Sequence, residues 1–121
     1  MNTLKNIADN IASFLDNKKA EDITVYHVTE KNWLTDFIIV FNMKNAVHGK
    51  AISKELVNHL SSVIVENPKE FYNPIRLSGS ADTGWIIMDI NSIVVHCFDA
   101  ESRDFYNLDS ILEKQGDVFH Y

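Results

Sequence analysis

The sequence predicts an α+β domain, a mixed sheet of four or five strands with two helices on its apolar face. Apolar residues recur at helical spacing in two segments, one near the N-terminus and one in the middle of the chain. Short β-branched runs lie between and after these segments. The 121 residues are 45% hydrophobic and 23% charged, which predicts a single globular domain over residues 1–121.

The first half of the chain predicts a helix, two strands and a second helix. Residues 3–16 place apolar side chains at i, i+3, i+4 and i+7, as an amphipathic helix does. Residues 23–28 and 36–41 are β-branched and predict two strands that pair as a hairpin around Asn32. A long helix is predicted over residues 45–65. Its apolar stripe contains Ile52, Leu56, Leu60, Val63 and Ile64.

The segment 84–98 predicts a central β-hairpin. Two β-branched runs are separated by Asn91-Ser92, and asparagine tolerates the positive φ that a two-residue turn needs. Opposed residues then pair outward from Ile90 with Ile93 to Trp85 with Phe98, and each pair shares a face. The first face contains only apolar residues, Ile86, Met88, Ile90, Ile93, Val95 and Cys97. The second face contains Trp85, Ile87, Asp89, Val94, His96 and Phe98.

The second face of the hairpin has two interpretations. Large aromatic residues with a few polar groups are typical of a surface that binds a partner. Alternatively, a helix or the C-terminal segment covers this face, and Asp89 and His96 form an internal pair. The residues alone leave both interpretations open.

The remaining segments predict short elements. Residues 66–83 contain both prolines and predict a loop, with a short strand at 75–77. Residues 105–113 predict a short helix, and residues 115–121 are expected to fray. The apolar residues of that helix are Phe105, Leu108, Ile111 and Leu112.

The charge balance indicates what kind of partner the chain binds. Eleven basic residues stand against seventeen acidic ones, and the net charge is -6. A protein that grips phosphate backbones needs clustered Lys and Arg, so we expect no direct nucleic-acid binding. An acidic surface instead favours a basic protein partner.

Other features predict a cytoplasmic protein without cofactors. No apolar run approaches the length of a membrane span, and the N-terminus has no signal pattern, so we expect no membrane association. The single cysteine excludes an internal disulfide. The five histidines lie in different predicted elements, and none forms a short-spaced pair with another ligand, so we expect no metal site.

An enzyme remains the alternative. Residues 79–82 contain a Gly-Ser pair and an acid, a weak similarity to nucleotidyl transferases. Those enzymes bind two metal ions with two acids at i and i+2 beside the sheet, whereas here Asp89 is followed by Asn91. A small metal-dependent nucleotidyltransferase-like enzyme would have to use Asp89 and His96 as a proton-transfer pair. No nucleophile is evident, and we predict no catalysis.

Four motifs, in the right order and at the right distances, resemble the ribosomal silencing factor family, also called RsfS or Iojap. The resemblance covers residues 18–112. The first two motifs are Lys18, Lys19, Ala20, Asp22 and Ile23, then Thr35, Asp36 and Phe37. The third is Trp85, Asp89, Val94, Val95, His96 and Phe98. The fourth is Arg103, Phe105, Tyr106, Leu108 and Asp109.

The chain departs from the family pattern at two places. Ile90-Asn91-Ser92 stands where members have Tyr-Gly-Asp, so the hairpin turn is kept with different chemistry. Met43 and Val47 replace a glycine and an arginine near the start of the long helix. Any contact that the arginine makes in other members is absent here.

The resemblance implies a non-catalytic repressor of translation. Such factors bind the large ribosomal subunit through its basic ribosomal protein fourteen and block docking of the small subunit. Their fold is similar to that of nucleotidyl transferases but lacks the catalytic acids. The residues expected to bind the partner are Trp85, Ile87, Asp89, His96, Phe98, Arg103 and Tyr106.

Three points stay open at this stage. Arg103 and Tyr106 either extend the binding surface or pin the C-terminal segment to the sheet, and pinning is preferred for Arg103 and Phe105. Homodimerisation through the aromatic face would compete with partner binding. An interaction domain for another basic protein is a further interpretation.

Overall fold

A computed structural model describes residues 3–29, 35–71 and 74–121. The strands are β1 (Glu21–Val28), β2 (Phe37–Asn42), β3 (Arg76–Ser80), β4 (Trp85–Asp89), β5 (Ile93–Phe98) and β6 (Gly116–His120). The helices are α1 (Thr3–Asn17), α2 (Ala46–Glu66), α3 (Ala100–Tyr106) and α4 (Leu108–Leu112), with a 3₁₀ turn at Ala81–Thr83. The strands form one sheet in the order β3-β4-β5-β2-β1-β6. The mixed α+β class is as predicted, but the sheet has six strands rather than four or five.

The long helices α1 and α2 pack on one face of the sheet. The side chain of Asn45 caps α2 by accepting a hydrogen bond from the backbone N–H of His48 at 2.8 Å. All five residues of the predicted α2 stripe are buried in the main core. Ala8, Ile11, Ala12 and Leu15 bury the matching stripe of α1. Helical periodicity therefore identified this side of the core correctly.

The centre of the sheet is built around β2. All six residues of β2 are buried, and it pairs antiparallel with β1 and parallel with β5. The β4–β5 hairpin has the predicted register, from Trp85 opposite Phe98 to Asp89 opposite Val94. Asn91 adopts φ 81 in the turn, as the sequence predicted. The face of the hairpin with only apolar residues is buried against the main core.

Helices α3 and α4 pack on the opposite face, so the prediction that helices occupy only one face is wrong. A second core lies beneath them, formed by Tyr26, Val28, Ile38, Val40, Phe98 and Leu112. The strands β1 and β2 are buried on both faces, because their near-continuous apolar sequences supply side chains to each. The sheet is therefore sandwiched between two helical layers of unequal size.

The predicted single helix over residues 105–113 is two helices. The side chain of Asp99 accepts a hydrogen bond from the N–H of Ser102 and starts α3 earlier than predicted. Asn107 adopts the left-handed conformation at φ 50 and ends α3 before α4 begins. This break leaves Phe105 and Ile111 exposed, by 80% and 51%. The prediction of one apolar helix face is therefore wrong for those two residues.

The C-terminal residues form a strand instead of fraying. β6 pairs antiparallel with β1, from Thr24 opposite His120 to Val28 opposite Gly116. Val118 packs against the second core and Phe119 against the first, so each face of this short strand contributes to burial. At the other edge, β3 covers 76–80 where a strand at 75–77 was predicted. The predicted turn around Asn32 lies outside the described residues.

The two departures near α2 have different environments. Met43 is buried, and its Sδ lies so close to Gly49 that a Cβ built there would sit 2.2 Å away. Gly49 therefore leaves the space that the longer Met43 side chain fills. Val47 is 79% exposed at the start of α2. Its side chain does not enter the core.

Candidate partner-binding surface

An aromatic stack rises from the second face of the sheet. The ring centroid of Trp85 lies 4.8 Å from that of Phe98 and 4.6 Å from that of Tyr106. Phe98 is fully buried, Trp85 is partly buried, and Tyr106 is 51% exposed. Phe98 therefore supports the stack from below and has no exposed surface of its own. Stacking of this kind fixes ring orientation before any partner binds.

His96 holds Trp85 in place through a hydrogen bond. The indole N–H of Trp85 donates to Nδ1 of His96 at 3.1 Å. Because Nδ1 accepts, the proton of the neutral ring lies on Nε2. In the described ranges, every buried side-chain nitrogen or oxygen has a hydrogen-bond partner, whereas Nε2 of His96 has none. Nε2 is therefore not fully buried, and it reaches the surface as a free donor.

His96 is neutral at physiological pH. Burial lowers the pKa of its imidazole to about 4 from the usual 6.5, against the weaker attraction of Asp89 and Asp109. A neutral ring is what the Trp85 hydrogen bond requires, since a protonated Nδ1 cannot accept. The site thus presents an uncharged aromatic centre.

Asp89 caps the hairpin turn and does not pair with His96. Its carboxylate accepts a hydrogen bond from the backbone N–H of Asn91 at 2.7 Å. No hydrogen bond or ion pair joins Asp89 to His96 in the described part of the chain. The sequence-based alternative of an internal Asp89–His96 pair is therefore wrong. Ile87 lies between Trp85 and Asp89 on β4 and is partly exposed on the same face.

Arg103 pins α3 to the sheet, as preferred from the sequence. Its Nε and Nη2 donate to the two carboxylate oxygens of Asp109, each at 2.9 Å. Its Nη1 donates to the carbonyl of Asp22 at 2.6 Å and to the side chain of Asn42 at 3.1 Å. The Arg103 side chain is only 14% exposed. Its role is to hold α3 and α4, and it offers little surface to a partner.

Tyr26 and Asp109 complete this clamp. The hydroxyl of Tyr26 donates to Asp109, and burial together with this acceptor raises the pKa of Tyr26. Burial alone would raise the pKa of Asp109, but the hydrogen bonds from Arg103 and Tyr26 hold it below its usual value. The carboxylate therefore stays charged, and its two oxygens are occupied.

Gly84 and Asp99 set the position of α3 over the hairpin. Gly84 adopts φ 81, and its carbonyl accepts a hydrogen bond from the N–H of Asp99 at 3.0 Å. A Cβ at Gly84 would lie 2.4 Å from the carboxylate of Asp99, which caps α3. Only glycine combines this backbone with this close approach. The α3 helix is thereby placed with Tyr106 against Trp85.

The predicted site residues have separate roles. Trp85, Ile87, His96 and Tyr106 share one surface, while Phe98, Asp89 and Arg103 support it. From the sequence, Phe105 was assigned a pinning role and was left out of the binding surface. In the structure its ring is exposed and packs edge-on against Tyr106, with 5.1 Å between the ring centroids. The left-handed Asn107 was the available signal, because asparagine ends helices in this conformation.

The described residues contain neither a metal-ligand cluster nor a membrane-spanning helix. No group of three or more His, Cys, Asp or Glu in them has the arrangement of a metal site. Within the same ranges, no helix has the length and apolar character needed to cross a bilayer. Cys97 is buried, and burial raises the pKa of its thiol to about 12, so it remains protonated.

Comparison with known proteins identifies relatives over most of the chain. The family model described as ribosomal silencing factor during starvation matches residues 1–119. The ribosomal silencing factor of Treponema pallidum is 29% identical over 104 residues, covering 86% of this chain and 87% of that protein. That of Halalkalibacterium halodurans is 28% identical over 97 residues, covering 80% and 77%.

Solved structures share the fold. A crystal structure of a Chromobacterium violaceum protein superposes with a TM-score of 0.76 at 20% identity, covering 90% of this chain and 85% of that one. A Bacillus halodurans crystal structure superposes with a TM-score of 0.65 at 26% identity, covering 88% and 93%.

The family model and these relatives define the class as a regulatory protein, a ribosomal silencing factor. Its partner class is the ribosome. The chain belongs to the ribosomal silencing factor family, RsfS.

Proposed function

We propose that this protein binds the large ribosomal subunit through ribosomal protein fourteen and thereby represses translation in the cytoplasm. A folded domain at the subunit interface blocks docking of the small subunit by its bulk alone. The family description, a ribosomal silencing factor during starvation, supports this role. The mechanism needs no catalytic group, and the family resemblance implies a nucleotidyltransferase-like fold without the catalytic acids, in keeping with Asn91 two residues after Asp89.

The observation that carries the proposal is the preformed aromatic surface. Trp85 is locked by Phe98 below it, Tyr106 beside it and His96 at its indole nitrogen. A rigid aromatic anchor loses little conformational entropy on binding and is typical of interface hot spots. Phe105 extends the surface with a largely exposed ring.

Hydrogen bonding and charge define the rest of the contact. The Nε2–H of His96 is a donor without a partner in the described residues and is available to a carbonyl of the bound protein. Asp104 is exposed on α3, and the chain carries a net charge of -6. These features favour a basic partner and faster association at low salt.

Co-sedimentation with separated ribosomal subunits tests the proposal. The wild-type protein is expected to travel with the large subunit and to lower the fraction of joined ribosomes. Trp85→Ala should weaken binding by about 2 kcal/mol or more, roughly thirtyfold in affinity. His96→Ala should weaken it less, because the stack around Trp85 remains.

A matched control is Val65→Ala on α2, since Val65 is 75% exposed and lies away from the aromatic surface. This variant should bind like the wild type. If Trp85→Ala still binds the large subunit, the proposed function stands but the interface lies elsewhere on the molecule. Failure of the wild-type protein to bind either subunit, or self-association that masks the surface, would contradict the proposal.

A further inference from the structure

A second surface lies on the opposite face of the sheet from the aromatic stack. A groove of about 340 Å³ runs between α2 and the β3–β4 edge of the sheet. Val57, Leu77, Ile86 and Met88 give it an apolar lining. Leu77 is 57% exposed beside the groove, so an apolar side chain on a partner has a surface to pack against.

The strand beside this groove is an open sheet edge. β3 is terminal in the strand order, and all five of its residues are exposed. Its inner side pairs with β4, and no described strand pairs with its outer side. An open edge of this kind presents backbone N–H and C=O groups that accept an additional strand.

The charge beside the groove is positive although the chain is acidic overall. Lys50 and Lys54 line the groove from α2. Lys50 lies 3.5 Å from Asp82, and both side chains are largely exposed. Lys54 forms no ion pair within the described ranges, and neither does Arg76 on β3. Lys54 is therefore an unpaired cation beside the groove of a protein with net charge -6, whereas Arg76 lies opposite Asp89 on β4.

These positive charges indicate whether a second copy of the chain or an acidic segment pairs with the open edge. Pairing of β3 with β3 of a second copy would bring two sets of the same lysines together, and like charges at close range repel. A strand that carries carboxylates gains attraction from the same lysines. The edge thus disfavours self-association and favours an acidic segment.

We propose that β3 and the adjoining groove bind an extended acidic peptide as an added strand of the sheet. Its backbone pairs with β3, an apolar side chain enters the groove beside Leu77, and a carboxylate meets Lys50 and Lys54. Because alternate residues of a strand face the same side, the recognised segment carries apolar and acidic residues two positions apart. This site is separate from the proposed ribosome contact and leaves Trp85 free.

The test uses the full-length protein and the labelled peptide Thr-Val-Thr-Glu-Thr-Val-Thr-Glu. Fluorescence anisotropy is expected to show binding, and the amide resonances of residues 76–80 are expected to shift. A peptide with lysine in place of glutamate should not bind. A peptide N-methylated on the pairing edge should also lose binding, because it keeps the charges but lacks the backbone donors.

Charge-reversal variants provide the matched comparison. Lys54→Glu should weaken peptide binding about fivefold or more, as expected for a reversed charge beside a carboxylate. Lys114→Glu makes the same change in net charge near β6, at the far edge of the sheet, and should leave binding unchanged. Both lysines are exposed, so neither variant should alter the thermal unfolding curve appreciably.

Three outcomes would overturn the proposal. The first is no binding of the glutamate peptide, and the second is equal binding of the N-methylated one. The third is a dimer in sedimentation equilibrium that Leu77→Glu dissociates, which would assign the edge to a second copy. Trp85→Ala should bind the peptide normally, so failure here and failure of the ribosome proposal are distinguishable.

Discussion

The two faces of the sheet are held by different physical means. Beneath α1 and α2 the core consists of buried apolar residues, with partly buried apolar side chains packed around them. Beneath α3 and α4 the core is much smaller, and the hydrogen-bonded clamp of Arg103 and Asp109 supplements it. The first face therefore depends on burial, while the second depends on polar geometry and aromatic stacking.

This difference separates stability from binding. On the proposed function, a surface that presents Trp85 and Tyr106 to a partner cannot also bury them in a helix interface. The short helices α3 and α4 bury little, so the clamp fixes them where apolar area is insufficient. The following four changes probe this division, from the largest expected effect to the smallest.

Leu56→Ala should cause the largest loss of stability. Leu56 is fully buried on α2, and removing its side chain leaves a cavity that costs about 3 kcal/mol of unfolding free energy. Phe105→Ala on the other face is the control, since 80% of Phe105 is exposed and the change should cost less than about 0.5 kcal/mol. Urea unfolding followed by circular dichroism measures both. Equal losses of unfolding free energy in the two variants would show that the two faces of the sheet do not differ in this way.

Arg103→Met should destabilise the second face. The substitution keeps much of the side-chain length but leaves Asp109 with Tyr26 as its hydrogen-bonding partner, so the free energy of unfolding should fall by about 2–3 kcal/mol. Lys50→Met breaks an ion pair whose side chains are 64% and 70% exposed, and it should have almost no effect. Chemical denaturation distinguishes the two, and a similar small loss in both would show that Arg103 does not hold α3.

His96→Gln should flatten the pH dependence of stability. The pKa of His96 is lowered from 6.5 to about 4 by burial, so the imidazole is neutral in both states above pH 6.5. As the pH falls from 6.5 toward 4, His96 binds a proton in the unfolded chain but stays neutral in the folded chain. The free energy of unfolding then falls by at most about 1.4 kcal/mol per pH unit.

Glutamine does not titrate, but it retains an oxygen that can accept from the Trp85 indole. The variant should therefore lose less stability between pH 6.5 and 4 than the wild type, as thermal unfolding across this range will show. Asp109, whose pKa is lowered, adds loss only as the pH falls below its usual 3.8. Parallel curves for wild type and variant would mean that His96 is not the group responsible.

Asn107→Ala should have the smallest effect. Alanine in the left-handed conformation at φ 50 costs about 1 kcal/mol, whereas Asn107→Gly should change stability by less than about 0.5 kcal/mol. Denaturation midpoints of the two variants measure the difference. If alanine is as stable as glycine, the break between α3 and α4 is not fixed by this residue.

Much of the first face follows from the sequence alone. The α2 stripe repeats every three or four residues, and the two β4–β5 runs flank a turn whose asparagine fixes the register. Local sequence patterns are sufficient to predict structure where an apolar repeat extends over many residues or where a tight turn sets the strand register. The assignment of Trp85 and Ile87 to one face followed directly from that register.

The second face was harder to predict because its contacts are far apart in sequence. Arg103 reaches the Asp22 carbonyl and Asn42, and neither spacing nor hydropathy indicates such a contact. The strand β6 is short and half polar, so it forms because β1 offers an edge. Phe105 was misassigned because helical periodicity was counted across the Asn107 break. Tertiary context decided each of these positions.

The parallel pairing of β2 with β5 also affects how quickly the chain folds. Residues 43–92, which contain α2, β3 and β4, lie between these two neighbouring strands. Closing this long loop costs entropy before the central pairing returns any contact energy. Folding should therefore be slower than in a helical bundle of similar length, and stopped-flow fluorescence would measure the rate. Until that closure, the β5 side of β2 is an unpaired apolar strand edge, which favours aggregation.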